Sequence, residues 1–161
     1  MKKLFTILVF AIMSMAAFAQ NGRDIYNKYS DEAGVSSVYI SPAMFRLIGK
    51  IPDVQMEDSK VNFSSIIKSM SGFYVISSEN PDIADLLYGD VKKFIQKGDY
   101  ELLMEAKDDG EVMRMYTVGD DSTVTSFVML SRDDKEVSFI SFDGKMNREE
   151  LEDLLAEAAA D

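Results

Sequence analysis

The sequence contains no cysteine, no histidine and no tryptophan. Without Cys or His there is no disulfide framework, thiol chemistry, zinc finger, His-based triad or haem ligation. Positive charge is also scarce: 17 Lys and Arg face 28 Asp and Glu, a net charge of −11. A nucleic-acid binder of the ordinary basic kind is excluded, because a phosphate backbone must be met by clustered cations. What is present is apolar mass, 47% of 161 residues. That content argues against disorder despite the charge, and the length points to one globular domain.

Residues 1–19 read MKKLFTILVFAIMSMAAFA: two lysines, an apolar stretch from Leu4 to Met13, then small residues ending Ala17-Phe18-Ala19. This is the three-part pattern of a secretory signal peptide, with cleavage expected before Gln20. A retained membrane anchor needs about 20 apolar residues, and Ser14 and the polar run from Gln20 to Arg23 cut the stretch short. The leader takes Lys2 and Lys3 with it, so 161 less 19 leaves 142 residues, with a net charge of −13. No cysteine follows the cleavage point, so no lipid anchor is expected. The domain is therefore expected over 20–161, exported to the periplasm or beyond, with no transmembrane segment after cleavage.

Along that domain the apolar spacing predicts helices over 24–33, ended by Gly34, then over 43–48 after Ser41-Pro42, and over 63–70 with Asn62 as cap and Gly72 beyond its end. A further helix starts at Asn80-Pro81 and stops at Gly98, and the last starts at Asn147. Strands are expected at 35–40 and 73–77, and the stretch 50–61 reads as irregular. From Tyr100 the period switches to alternation in four runs, 100–107, 111–118, 123–132 and 136–142, separated by short Asp- and Gly-rich turns. The pattern predicts an α+β fold: a two-layer sandwich of helices on a mainly antiparallel sheet whose C-terminal part is a four-strand meander.

Several constellations invite a chemical reading, and each has a plainer one. Asp143-Gly144 followed by Glu150 matches the second half of a calcium loop, but the leading ligand positions fall on Phe139 and Ser141, so strand–turn–helix punctuation explains it better. Ser65-x-x-Lys68 has the nucleophile–lysine spacing of penicillin-recognising enzymes, without their Lys-Thr-Gly and at too short a length. Met113 and Met115 share a strand face where paired thioethers could hold a soft ion such as Cu(I); with no His or Cys beside them, core packing is the expected role. Asp108, Asp109, Asp120, Asp121, Asp133 and Asp134 sit at expected turn tips, where turn chemistry accounts for them. Tyr26, Tyr29, Tyr39, Phe73, Tyr74, Tyr116 and Phe127 are expected in the core and on sheet faces rather than on a sugar platform. No catalytic, cofactor-binding or metal-binding residue is assigned from the sequence.

The leader, the early helix before Val38-Tyr39-Ile40-Ser41, the segment Phe63-Ser64-Ser65-Ile66-Ile67-Lys68 leading into Gly72-Phe73-Tyr74-Val75-Ile76-Ser77, and the late acidic hairpins together resemble the exported, Bacteroidetes-type domain of unknown function 4252. The resemblance implies a periplasmic or surface protein and carries over no catalytic residue. The preferred expectation is a non-enzymatic envelope protein that binds a protein partner. The alternative is a carrier or sensor of an apolar small molecule, with Met113, Met115, Phe127 and Met129 lining a pocket beneath the helices. A carboxylate-based hydrolase ranks third.

Overall fold

Alternating apolar residues in the second half of the chain need a covering layer on at least one side, and the computed structural model shows how they obtain it. Residues 21–48 and 63–158 are described. Their order is α1 (Gly22–Tyr29), β1 (Val35–Ile40), α2 (Pro42–Ile48), α3 (Phe63–Ser69), β2 (Met70–Ser78), α4 (Pro81–Lys97), β3 (Glu101–Asp108), β4 (Glu111–Gly119), β5 (Thr123–Arg132), β6 (Val137–Asn147) and α5 (Arg148–Ala158). The strands form one six-stranded sheet in the order β1-β2-β6-β5-β4-β3, and every neighbouring pair is antiparallel. The chain is thus α+β with an antiparallel sheet. Among the described residues no helix is long and apolar enough to cross a membrane.

The longest helix, α4, begins where the sequence places it. Asn80 Oδ1 accepts the Asp82 N–H at 3.1 Å, Pro81 holds the first helical position, and the Gly98 N–H closes the end on the Phe94 and Ile95 carbonyls. Its stripe of Ala84, Leu87, Val91, Phe94 and Ile95 packs with Ile25 and Tyr29 of α1 on one sheet face. That face supplies Ile76 from β2, Val137 and Phe139 from β6, and Val128 and Leu130 from β5. Ile76 lies opposite Phe139, and Phe139 opposite Leu130, so the core is a block of register partners under two helices. Phe94 meets Phe139 edge-on, with 6.4 Å between ring centroids.

Because side chains alternate along a strand, the residues between these point to the other face. At one end of that reverse face, Ile66 of α3 and Leu151 of α5 pack on Val124 and Met146, with Met70 and Phe142 against them. Phe142 in turn touches Phe73 and Phe127, ring centroids 4.8 and 5.6 Å away.

Three boundaries differ from the sequence-based expectation. The first helix ends at Tyr29 with Ser30 as its cap, and Gly34, at φ +83°, serves the turn into β1 instead. The expected break at Gly72 is absent: β2 starts directly after α3, because an irregular register between Met70 and Gly72 lets the strand begin early. Asp143-Gly144, expected as a turn, lies inside β6, which runs to Asn147. Gly144 is needed there because a Cβ would stand 2.5 Å from the Ser69 carbonyl oxygen, where α3 hands over to β2. The irregular stretch 50–61 and the cap at Asn62 lie outside the described residues.

The hairpin turns follow their chemistry. Asp109 and Gly110, at φ +37° and +92°, make the two-residue turn between Asp108 and Glu111. Asp120 Oδ1 accepts the N–H groups of Ser122 and Thr123, and Asp133 Oδ1 accepts those of Lys135 and Glu136. These bonds favour the charged carboxylates and hold both below the usual range.

Candidate functional site

On the helix-covered face, the start of α1 and the end of α4 both border a cleft at the Asp143 end of β6. The cleft is lined by the cap residue Asn21 and Arg23 at the start of α1, Lys97 of α4, Tyr100, Ser126 and Asp143. Its polar floor is one chain of hydrogen bonds: the Tyr100 hydroxyl donates to Ser126 Oγ at 2.9 Å, and Ser126 Oγ donates to Asp143 Oδ1 at 2.9 Å. Burial pushes the Asp143 carboxyl up, the Ser126 bond pulls it back in part, and the nearby Asp24 charge pushes it further up. Burial likewise raises the Tyr100 hydroxyl to about 12. Asp24 is itself engaged, its Oδ2 accepting the Asn21 N–H at 3.2 Å. The floor therefore offers one desolvated acid with an oriented hydroxyl, under a rim carrying Arg23, Lys97 and Lys145.

Close by, Gly22 lies against buried Ser141, whose hydroxyl has no hydrogen-bond partner among the described residues. Beside it Tyr74 stacks on Tyr39 at 5.3 Å between centroids, and Arg23 sits over Tyr39. On the opposite side of α1, Asp90 accepts from Tyr29 Oη at 2.6 Å and from Lys28 Nζ at 2.5 Å, tying α1 to α4. The Lys28 and Tyr29 bonds hold the Asp90 carboxyl below its ordinary range.

The reverse face carries a different surface. Register partners run across all six strands as Val38, Val75, Ile140, Met129, Met115 and Met104, an unbroken apolar row. Its ends are open, Val38 at 49% and Met104 at 39% exposure, and its middle is half-buried. The next positions along the strands are serines in four cases, Ser36, Ser77, Ser138 and Ser131, followed by Met113 and Ala106.

The residues singled out from the sequence divide between these places. Asp143 faces Ser126 from within a strand, and Asn147 Oδ1 caps α5 through the Glu150 N–H, while Phe139 and Ser141 are fully buried. These positions are spread along β6 and into α5 rather than gathered on one loop. Lys68 is exposed, Ile66 beside it is buried, and the Ser65 side chain lies outside the described residues. Met113, Met115, Phe127 and Met129 do share a face, but not the one under α1 and α4. Val128 and Leu130 take that side, so strand alternation forces their neighbours to the reverse. The expected pocket beneath those helices is thereby corrected to a row on the far face.

Sequence reasoning missed the Tyr100–Ser126–Asp143 chain and the place of Met104 in the row. The first joins residues 26 and 17 positions apart and has no local signature. The second was readable: a two-residue turn at Asp109-Gly110 sets Met104 against Met115 by counting back along both strands. Searches of curated proteins and of solved structures return no match. A family model described as Domain of unknown function (DUF4252) matches residues 29–154, from the end of α1 into α5, and the chain belongs to that family.

Proposed function

We propose that this protein is exported through a cleavable leader, residues 1–19, and works in the cell envelope, free of a lipid anchor, as a non-enzymatic interaction module. The surface that receives its protein partner is the row from Val38 to Met104. The observation that carries this reading is the asymmetry of the sheet. One face is a closed core, with Leu87, Val91, Ile76, Val128 and Phe139 fully buried, while the other keeps a row of six aligned apolar side chains of which Val38 and Met104 are exposed and the four between them half-buried. An apolar surface rimmed by polar groups, here the serine positions, is the usual mark of an interface. The consecutive pairing of β3 through β6 supports a four-strand meander, and the cover of α1 and α4 supports a two-layer description. The acidic chain fits a partner whose contact face is apolar at its centre and basic at its rim. An apolar-ligand carrier is less well supported, since the cleft is floored by Tyr100, Ser126 and Asp143 rather than by an apolar lining.

The test is site-specific photo-crosslinking in the native host. A crosslinker at Met115 or Val75 is expected to give one discrete adduct, and one at Leu86, 59% exposed on α4, none. No adduct from the row, or the same adducts from Leu86, overturns the reading. N-terminal sequencing of the protein from the envelope fraction is expected to begin at Gln20.

A further inference from the structure

We propose that Met104, Met115 and Met129 form an all-thioether site for a soft monovalent cation, Cu(I) or Ag(I). Two methionines two apart on β4 could not support this from the sequence, and packing was the expected role. The register changes the count. Met115 lies directly opposite Met104 on one side and Met129 on the other, so three thioethers stand in line on adjacent strands. Directly opposed residues in an antiparallel pair have Cβ atoms about 4.5–5.5 Å apart. An unbranched side chain with three rotatable bonds spans that gap, so the two outer sulfurs can close on a point above Met115. Met113 is the next residue on the same face of β4, a fourth thioether within reach.

Two further observations fix the ligand class. The chain has no cysteine and no histidine, so methionine sulfur is its only soft donor. Thioethers select Cu(I)-like ions and leave Zn(II), Ni(II) and Cu(II), which prefer imidazole, thiolate or oxygen. The row is also accessible: Met104 is 39% exposed at the sheet edge, and Met115 and Met129 are half-buried beside it, so an ion can enter without unfolding. The flanking partners Ile140 and Ala106 are apolar, and Ser131, opposite Met113, adds only a neutral hydroxyl, a hard donor that a soft ion does not favour. The inference does not rest on the proposed partner or on export, and the two fail separately, since ion binding is read on the isolated protein.

The experiment is a titration of the full chain with silver nitrate in chloride-free buffer, followed by native mass spectrometry and by NMR of methionine methyl groups. One equivalent is expected to bind saturably and to shift the Met104, Met115 and Met129 methyls together. Met44, more exposed at 48% and distant on α2, and buried Met146 are expected to stay put. Zn(II) is expected to produce no shift at these methyls. Met115→Leu, a swap that nearly conserves volume and keeps the fold, is expected to weaken Ag(I) binding by at least about tenfold, the lower end of what losing even an outer-shell partner costs. Folding of the variant is checked by its unchanged Met146 resonance. Absence of saturable binding overturns the proposal, and so do shifts that follow exposure with Met44 foremost, or a Met115→Leu variant that binds as tightly as the parent.

Discussion

Leu130 and Met129 are adjacent residues of one strand, and the fold assigns them opposite fates. Leu130 is 1% exposed within the core beneath α4, with Phe139 opposite it, whereas Met129 sits half-buried on the reverse face between Met115 and Ile140. Truncating a buried leucine to alanine loses its transfer energy and leaves a cavity, together about 2–5 kcal/mol. Full burial of a methionine contributes about 1.5–3 kcal/mol over exposure, so truncating one that is half-buried costs about 1 kcal/mol. For a domain of this size each kcal/mol moves Tm by about 3–5 °C. Leu130→Ala is therefore expected to melt about 6–25 °C lower and Met129→Ala about 3–5 °C lower. Urea unfolding followed by far-UV circular dichroism should show the same ordering in the midpoint, with a common slope. Equal losses for the two variants would refute the reasoning, because β5 would then be buried alike on both sides and no open row would exist.

Other expectations follow from single contacts. Asp143→Asn keeps an acceptor for Ser126 but removes the charge that burial disfavours. Since the folded-state carboxyl titrates above its unfolded value, wild-type stability falls as pH rises through the carboxylate range, and the variant should gain on it across that window in melts recorded against pH. A flat difference between the two would count against the cleft geometry. Asp90 is shifted the other way, so its contribution is present above the ordinary carboxylate range and lost on acidification; Tyr29→Phe should reduce that acid sensitivity and cost about 1 kcal/mol in denaturant titrations. Gly22→Ala forces a Cβ into the Ser141 side chain and should lower Tm by several degrees, about 1–3 kcal/mol of overpacking, with Ser141→Ala in the same background recovering part of it. Thr117 Oγ1 is buried without a partner among the described residues, so the isosteric Thr117→Val should match or exceed wild-type stability in the same melts.

What the sequence made legible was local. Asn80-Pro81 and Gly98 bracket a helix by their own chemistry, and Asp109-Gly110 dictates a two-residue hairpin, so α4 and the β3–β4 turn could be placed by inspection. Asp143-Gly144 misled because the pair usually turns, and only the approach of the Ser69 carbonyl explains a glycine in mid-strand. Periodicity told that Met113 and Met115 share a face, but not which face. That was decided by where the α4 stripe docks, a contact between distant parts of the chain. The same holds for Asp143, whose unusual environment is made by Tyr100 and Ser126 from other strands.

The two margins of the sheet are unequal. Among the described residues β1 and β3 each pair on one side only. β3 presents Glu101, Glu105 and Lys107 and an irregular register between Leu102 and Met104, the devices that discourage a further strand. β1, Val35–Ile40, has neither charge nor proline. Among the described residues β1 is thus the margin that takes a further strand more easily, and addition there is self-terminating: two copies joined through β1 would present a guarded β3 at both outer margins, so association through edges would stop at a pair instead of growing into a fibre.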